Sequence, residues 1–146
     1  MVKQKLSRKK AAAAIIGIAT VLAWMVVTVA AGNNPFSGVS IDSQEDCAEF
    51  LAELGWETNP QEAVVQTTIL PERFDNVYTQ YNQLQIMQGS DLTRYAGKEV
   101  TVFTLPIINY ASTGDHIYAT VITYKGRVIG GDIHSAEMGG FMHALK

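Results

Sequence analysis

Residues 11–31 form the longest hydrophobic stretch of the chain, and none of them is charged. A helix rises about 1.5 Å per residue, so a run of this length spans about 30 Å, the thickness of the bilayer hydrocarbon. Five basic residues and no acidic residue precede the run, and short basic flanks of a membrane segment stay in the cytoplasm. The pattern predicts a cytoplasmic tail at 1–10, a transmembrane helix at 11–31 and the remaining chain outside the cytoplasm.

A cleaved secretory signal peptide is the alternative for the same residues. Val29-Ala30-Ala31 has the small side chains that signal peptidase accepts. The apolar run is longer than the roughly 7–15 residues typical of a signal peptide, which favours an uncleaved anchor. Both interpretations place the following domain outside the cytoplasm. The domain is tethered to the membrane in the first and secreted after cleavage near Ala31 in the second.

A linker and then a helix are predicted beyond this stretch. Residues 32–42 are rich in Gly, Asn, Pro and Ser and lack apolar periodicity, which is typical of a linker. Ser43 suits a helix N-cap, and Gly55 suits the C-terminal cap. Between them an apolar stripe recurs at helical spacing. It consists of Cys47, Phe50, Leu51 and Leu54.

Strands and a second helix account for the rest of the pattern. Pro71 is predicted at the first position of a helix that runs to Gln88. β-branched and alternating apolar residues indicate strands. The predicted strands cover 63–70, 99–110, 116–124 and 127–134. The last two flank Lys125-Gly126, the length of a two-residue hairpin turn that sets Tyr124 opposite Arg127.

This order of elements predicts an α+β domain over 43–146, with two helices packed on one face of an antiparallel sheet of about four strands. If pairing continues unbroken from the hairpin turn, Ile133 shares a face with Tyr118, and His134 shares the other face with Ile117.

Charge and cysteine content narrow the functional classes. All fourteen acidic residues lie beyond the hydrophobic stretch, so the outer domain is acidic. Nucleic-acid binding is disfavoured, because neutralisation of phosphates supplies most of its affinity. Cys47 is the single cysteine and cannot form an internal disulfide, so the domain depends on its core alone. Its place on an apolar stripe beside acidic residues indicates a core thiol and not a nucleophile.

Several sequence motifs of the outer domain are similar to those of a known family. They are Phe50-Leu51-Ala52-Glu53-Leu54-Gly55-Trp56, Leu70-Pro71-Glu72-Arg73-Phe74, Tyr95-Ala96-Gly97-Lys98 and Val128-Ile129-Gly130-Gly131-Asp132. The chain resembles, over about 47–145, a bacterial family classed as a domain of unknown function. The resemblance implies a small Gram-positive protein with one N-terminal membrane segment. It implies no activity, cofactor or active site.

Asp132, His134 and His143 are the one carboxylate and imidazole set close enough in sequence to suggest a metal site. Zinc requires three or four ligands held by oriented neighbours, and this spacing matches no established ligand motif. Strand-end residues with ordinary hydrogen bonds are the favoured interpretation. We therefore expect no metal and no cofactor.

The second helix carries an unusual number of amides, together with Tyr78 and Tyr81. Amide side chains such as Gln85 form hydrogen bonds without the desolvation cost of a charge. This face is a candidate for binding a peptide or glycan, although a solvated helix surface is the simpler interpretation. Gly130-Gly131 indicates a bulge or the close approach of a packed helix. Residues 135–146 suggest a short closing helix on the core or, alternatively, a soft apolar binding strip.

No nucleophile, base or Gly-rich phosphate loop stands in a recognisable catalytic context. We expect a membrane-anchored, extracytoplasmic and non-enzymatic module that binds another envelope protein or a peptide. The alternatives are a metal-dependent or hydrolytic envelope enzyme and a secreted inhibitor-like domain released by signal peptidase.

Overall fold

A computed structural model describes residue 36, residues 38–111 and residues 116–146 of the chain. The predicted tail and the predicted membrane helix at 11–31 lie outside these residues. Within the described part, none of the helices has the length and apolar character needed to cross a bilayer.

Helix α1 covers Gln44–Glu53, as predicted. Ser43 is the N-cap, and its hydroxyl accepts a hydrogen bond from the Asp46 backbone N–H, while the Asp46 carboxylate accepts one from the Ser43 N–H. This reciprocal pair is a capping box. Gly55 follows the helix with a φ of +95°, a conformation that glycine adopts without strain.

Helix α2 covers Asn76–Met87, and the prediction that it begins at Pro71 is wrong. The Leu70 N–H donates to the Lys98 carbonyl at 3.0 Å, so the chain entering Pro71 is still held beside the next strand. Asp75 is the N-cap, and its carboxylate accepts from the Tyr78 N–H at 2.8 Å. Two short 3₁₀ helices, Pro60–Glu62 and Leu92–Tyr95, flank β1 and α2 in the sequence.

The described residues contain five strands in one antiparallel sheet whose order follows the sequence. The strands are β1 (Val64–Ile69), β2 (Glu99–Pro106), β3 (Ile117–Tyr124), β4 (Arg127–Ser135) and β5 (Met142–His143). The prediction of about four strands missed β5, which lies where a closing helix was one of the two options. Met142 and Leu145 nevertheless close the core as expected, at 7% and 0% exposure.

The β3–β4 hairpin has the predicted turn but not the predicted faces. Tyr124 pairs with Arg127, and Lys125 and Gly126 both have positive φ, which defines a type I′ turn. A bulge then shifts the register by one residue. Beyond it Tyr118 pairs with His134, so each later β4 side chain lies on the face opposite to the predicted one.

The two helices lie on opposite faces of the sheet, whereas the sequence predicted one face. Core residues of α1 pack with Phe103 and Val121, and core residues of α2 pack with Val100 and Ile122. Both faces of β2 and β3 are apolar, and each face has to be covered by another layer. The domain therefore has three layers, with the sheet in the middle.

The domain begins before the predicted boundary at residue 43. Phe36 and Ile41 are buried in the α1-side core, although both fall in the predicted linker at 32–42. The Val128 N–H donates to the Val39 carbonyl at 3.2 Å, and the Ile41 N–H donates to the Gly126 carbonyl at 2.7 Å. This segment runs along the start of β4 and is part of the fold.

Candidate functional site

Three amides of α2 and its C-cap, Asn82, Gln85 and Gln88, are buried and do not form the predicted binding face. Gln85 and Tyr81 are 0% and 4% exposed, so neither side chain is available to a partner. Tyr78, the third candidate of that face, is partly buried, with its ring 5.5 Å from that of Phe74. The hypothesis that this helix face binds a peptide is therefore abandoned for Tyr81 and Gln85.

These amides instead satisfy the backbone of β4 on the side away from β3. Gln85 Oε1 accepts from the Gly131 N–H at 2.8 Å, and Gln88 Nε2 donates to the Gly131 carbonyl at 2.9 Å. The Ser90 hydroxyl donates to the Ile129 carbonyl. β5 is too short to reach these groups, because it pairs only with Ile133 and His134. An unpaired buried peptide group costs about 1–3 kcal/mol, which explains why the helix carries amides.

Gly130 allows this approach of α2, as the sequence suggested, whereas Gly131 makes room for the neighbouring strand and for Leu145. A side chain at Gly130 would meet Gln85 Oε1 at 2.8 Å, and one at Gly131 would collide with the carbonyl oxygen of Thr120 on β3. Gln88 also accepts the Leu145 N–H through Oε1 at 2.8 Å, which ties the C-terminal segment to α2.

Asp132 and His134, two of the three metal candidates, meet on the α2 side of the sheet. Oδ1 of Asp132 accepts from His134 Nδ1 at 2.7 Å, and Oδ2 accepts from the Tyr81 hydroxyl at 2.6 Å. Burial, followed by the negative charge of Asp132, raises the pKa of Tyr81 well above its usual value. The Tyr81 hydroxyl therefore keeps its proton and acts as a donor.

His143, the third metal candidate, lies on the opposite face of the sheet. It pairs with Ile133, whose side chain packs with α1, whereas His134 pairs with Met142. Among the residues the structure describes, no three His, Cys, Asp or Glu side chains stand close enough to hold a metal ion.

His134 Nε2 has no hydrogen-bond partner within the described part of the chain, which raises the question of a catalytic role. The side chain is 2% exposed, and the Tyr118 ring stacks on it with centroids 6.0 Å apart. A general base has to reach the proton that it removes. Nε2 is buried, so a substrate cannot reach it in this conformation. The Tyr81–Asp132–His134 hydrogen bonds join α2 to β4.

Cys47 is a core residue, as predicted. It is 0% exposed on the sheet side of α1. Burial, and then the charge of Asp46, raise the pKa of the thiol to about 12. The reactive thiolate is therefore disfavoured.

Four partly exposed rings form a continuous stack at the end of the sheet on the α1 side. This aromatic surface consists of Trp56, Tyr110, Phe141 and His143. Tyr110 lies between Trp56 and Phe141, with centroid separations of 5.6 and 5.1 Å. The Phe141 and His143 rings are 5.7 Å apart and nearly parallel, with an interplanar angle of 9°.

Hydrogen bonds hold these rings in place. Trp56 Nε1 donates to the Leu145 carbonyl at 2.6 Å. His143 Nδ1 lies 2.6 Å from the Ala144 carbonyl, which can only accept, so Nδ1 carries the hydrogen. In this tautomer Nε2 accepts from the Tyr110 hydroxyl at 3.0 Å. Partial burial raises the pKa of Tyr110, so this hydroxyl keeps its proton.

The surroundings of the aromatic surface are acidic and apolar. Glu49 and Glu53 are exposed four residues apart on α1, and Glu57 is exposed directly after Trp56 in the sequence. The Asn109 side chain joins the segment after β2 to the segment after α1, because it accepts from the Glu57 N–H and donates to the Gly55 carbonyl. Ile108, beside it, is 66% exposed.

Sequence reasoning did not identify the aromatic surface. Trp56 follows the predicted cap Gly55, Tyr110 ends a predicted strand and Phe141 lies in the segment 135–146, and these positions are far apart in the sequence. A tryptophan directly after a helix-ending glycine was the one local signal, because a large ring in a turn needs a neighbour to cover it.

The fold and these sites define a three-layer α+β domain with a buried polar group on one face and a stacked aromatic surface on the other. Residues 50–133, more than half of the chain, match DUF4830, a domain of unknown function, and the protein belongs to this family. The matched region includes Trp56, Tyr110 and Asp132 and ends before His134. Neither the curated proteins nor the solved structures give a significant match to the chain.

Proposed function

We propose that this protein is a membrane-anchored, non-enzymatic module of the bacterial envelope that binds a cationic segment of another envelope protein or peptide. The supporting observation is the aromatic surface, in which neighbouring partly exposed rings stack with centroids 5.1 to 5.9 Å apart. Partly exposed, stacked rings provide a large contact area whose geometry is already set.

The rigidity of the aromatic surface favours binding. Trp56 and His143 each donate to a main-chain carbonyl, and Tyr110 donates to His143. Ordering a side chain on binding costs about 0.5–1.5 kcal/mol, and rings that are already fixed avoid most of that cost.

The exposed acidic residues of α1 and of the segment that follows it support a cationic partner. Glu49 and Glu53 are like charges four residues apart on α1, an arrangement that weakens a helix slightly. Lysine and arginine side chains are attracted both to carboxylates and to the negative faces of aromatic rings.

The uncharged stretch at 11–31 and the basic residues before it support the anchor. Tethering raises the effective concentration of a weak binder near other membrane components. An alkaline phosphatase fusion after Lys146 will be active in a bacterial host if the domain is exported. Mass spectrometry of the mature N-terminus separates a retained anchor from cleavage near Ala31.

A direct binding experiment uses the full chain and defined peptides. A peptide that alternates Arg and Tyr is titrated while tryptophan fluorescence is followed, because Trp56 lies in the aromatic surface. The acidic counterpart, with Glu in place of Arg, is the peptide control. Glu53→Gln combined with Glu57→Gln should weaken binding of the cationic peptide about tenfold, a change of about 1.4 kcal/mol.

Glu62→Gln is the matched control variant, because Glu62 is an exposed carboxylate in a 3₁₀ helix next to β1. It should bind like the wild type. Equal affinity for the two peptides, or an equal loss in the Glu62 variant, would contradict the proposed role of the aromatic surface and its carboxylates.

A further inference from the structure

The two edges of the sheet differ in how they are protected. The edge at β4 is covered by the segment before α1, by side chains of α2 and by β5. Within the described ranges, nothing pairs with the outer edge of β1, which forms a ladder only with β2. One edge is thus closed within the domain and the other is open.

β1 also lacks the usual devices that prevent edge pairing. Its sequence, Val64–Ile69, contains no charge and no proline, and its pairing with β2 has no bulge. Protected edges normally carry such features. Val65 and Ile69 are 46% and 65% exposed, so apolar side chains stand at the open edge.

The direction of the open backbone groups follows from the ladder with β2. The Leu70 N–H donates to the Lys98 carbonyl at 3.0 Å, in the same register as the β1–β2 pairs. In an antiparallel pair, alternate residues direct both the N–H and the C=O to the same side. Val65, Thr67 and Ile69 therefore direct these groups away from β2.

We propose that β1 pairs with β1 of a second copy of this chain, antiparallel and about a two-fold axis through Thr67. Thr67 then lies opposite the partner's Thr67, and Val65 opposite the partner's Ile69. Every outward N–H and C=O of these three residues meets its complement. The exposed apolar side chains pair across the axis on one face, which suits the self-complementarity of a two-fold interface.

Glu62 precedes β1 and Glu72 follows it, and both are exposed. In this register Glu62 of one copy approaches Glu72 of the other at each end of the pair. Arg73, which directly follows Glu72, is exposed as well, so each end of the pair contains charges of both signs. This interface is separate from the aromatic surface and does not depend on the proposed function.

Cysteine crosslinking of the full chain tests both the pairing and its register. Thr67→Cys should give a crosslinked dimer with a short bismaleimide, because the two residues face one another at the axis. Val65→Cys and Ile69→Cys should crosslink when mixed but not separately. Thr79→Cys is the control, since Thr79 is an exposed threonine on α2. Buried Cys47 should not react.

Sedimentation measures the self-association of the chain without a crosslinker. Thr67→Lys sets two like charges opposite each other and should weaken self-association about tenfold, whereas Thr79→Lys should not. A crosslinked product whose mass is not twice that of the chain would overturn the proposal. The absence of a product from Thr67→Cys, or an equal yield from Thr79→Cys, would do the same.

Discussion

The hydroxyl of Tyr81 lies 2.6 Å from Oδ2 of Asp132, although the two residues are separated by 51 positions in the sequence. This contact joins the middle of α2 to the middle of β4. Asp132 also accepts from His134, so one buried carboxylate forms hydrogen bonds with side chains of both α2 and β4.

Loss of this carboxylate should destabilise the domain strongly. Asp132→Ala leaves the Tyr81 hydroxyl and His134 Nδ1 buried without an acceptor, and we expect a loss of about 3–5 kcal/mol in the free energy of unfolding. Asp132→Asn keeps one acceptor oxygen and should cost clearly less. Urea denaturation followed by tryptophan fluorescence gives both values. Equal losses for the two variants would show that the hydrogen bonds do not matter.

The two central glycines of β4 should respond differently to alanine. Gly131→Ala drives a methyl group into the Thr120 carbonyl of the neighbouring strand, and a paired backbone cannot move aside. We expect a loss above about 3 kcal/mol, or failure to fold. At Gly130 the obstacle is the movable end of the Gln85 side chain, so Gly130→Ala should cost only about 1–3 kcal/mol. Thermal unfolding of both variants would reveal whether this order is reversed.

The buried amides of α2 should matter for stability and the exposed ones should not. Gln88→Leu removes hydrogen bonds to the Gly131 carbonyl and the Leu145 N–H, which should cost about 2–4 kcal/mol. Gln80→Leu, at an exposed position of the same helix, should change stability by less than about 0.5 kcal/mol. Similar losses for both variants would contradict the structural role of Gln88.

The Cys47 thiol should resist modification in the folded protein. Burial raises its pKa to about 12, compared with about 8.5 in an unfolded chain. A thiol reagent at pH 8 should therefore react only as fast as the domain unfolds. Since the folded pKa is the higher one, this thiol stabilises the fold below about pH 8.5, and that contribution declines as the pH rises towards 12. Rapid labelling under native conditions would disprove the burial.

The capping carboxylate of Asp46 should make stability sensitive to acid. Hydrogen bonds from the backbone of Asp42, and then from Ser43, lower its pKa. The folded pKa is the lower one, so the stabilisation is present above the unfolded value of about 3.9 and is lost as the pH falls through the folded value. Asp46→Asn should reduce stability at neutral pH and flatten its decline below pH 4. Glu49→Gln, an exposed carboxylate on the same helix, is the control, and an identical acid profile for the two variants would refute the capping role.

Local patterns predicted the elements whose causes are local. The capping residue Ser43, the apolar stripe and Gly55 all belong to α1 itself, so the helix was predicted in full. The turn at Lys125-Gly126 was predicted because a two-residue loop sets the first pair of a hairpin. In contrast, the prediction for α2 took Pro71 as its first residue, whereas Leu70 is held by Lys98 and the helix begins after its N-cap Asp75.

The candidate sites were predicted less well, because each depends on distant contacts. The bulge in β4 reversed the faces of Asp132 and His134 relative to β3, and the pairing of His143 with Ile133 places His143 on the opposite face. Whether Gln85 lay at the surface or in the core depended on Gly131, 46 residues away. Both helix faces had polar and apolar residues, so periodicity alone could not assign the buried one.

By itself the sequence determined the α+β class, the extent of α1, the hairpin turn and the core position of Cys47, because short-range sterics, capping and hydrophobic spacing act within a few residues. Only the tertiary structure decided that the helices cover opposite faces of the sheet, that amides of α2 complete the β4 edge, and that four distant rings form one surface. Those outcomes follow from the need to bury two apolar faces and to pair every buried peptide group, and these constraints apply only once the strands have come together.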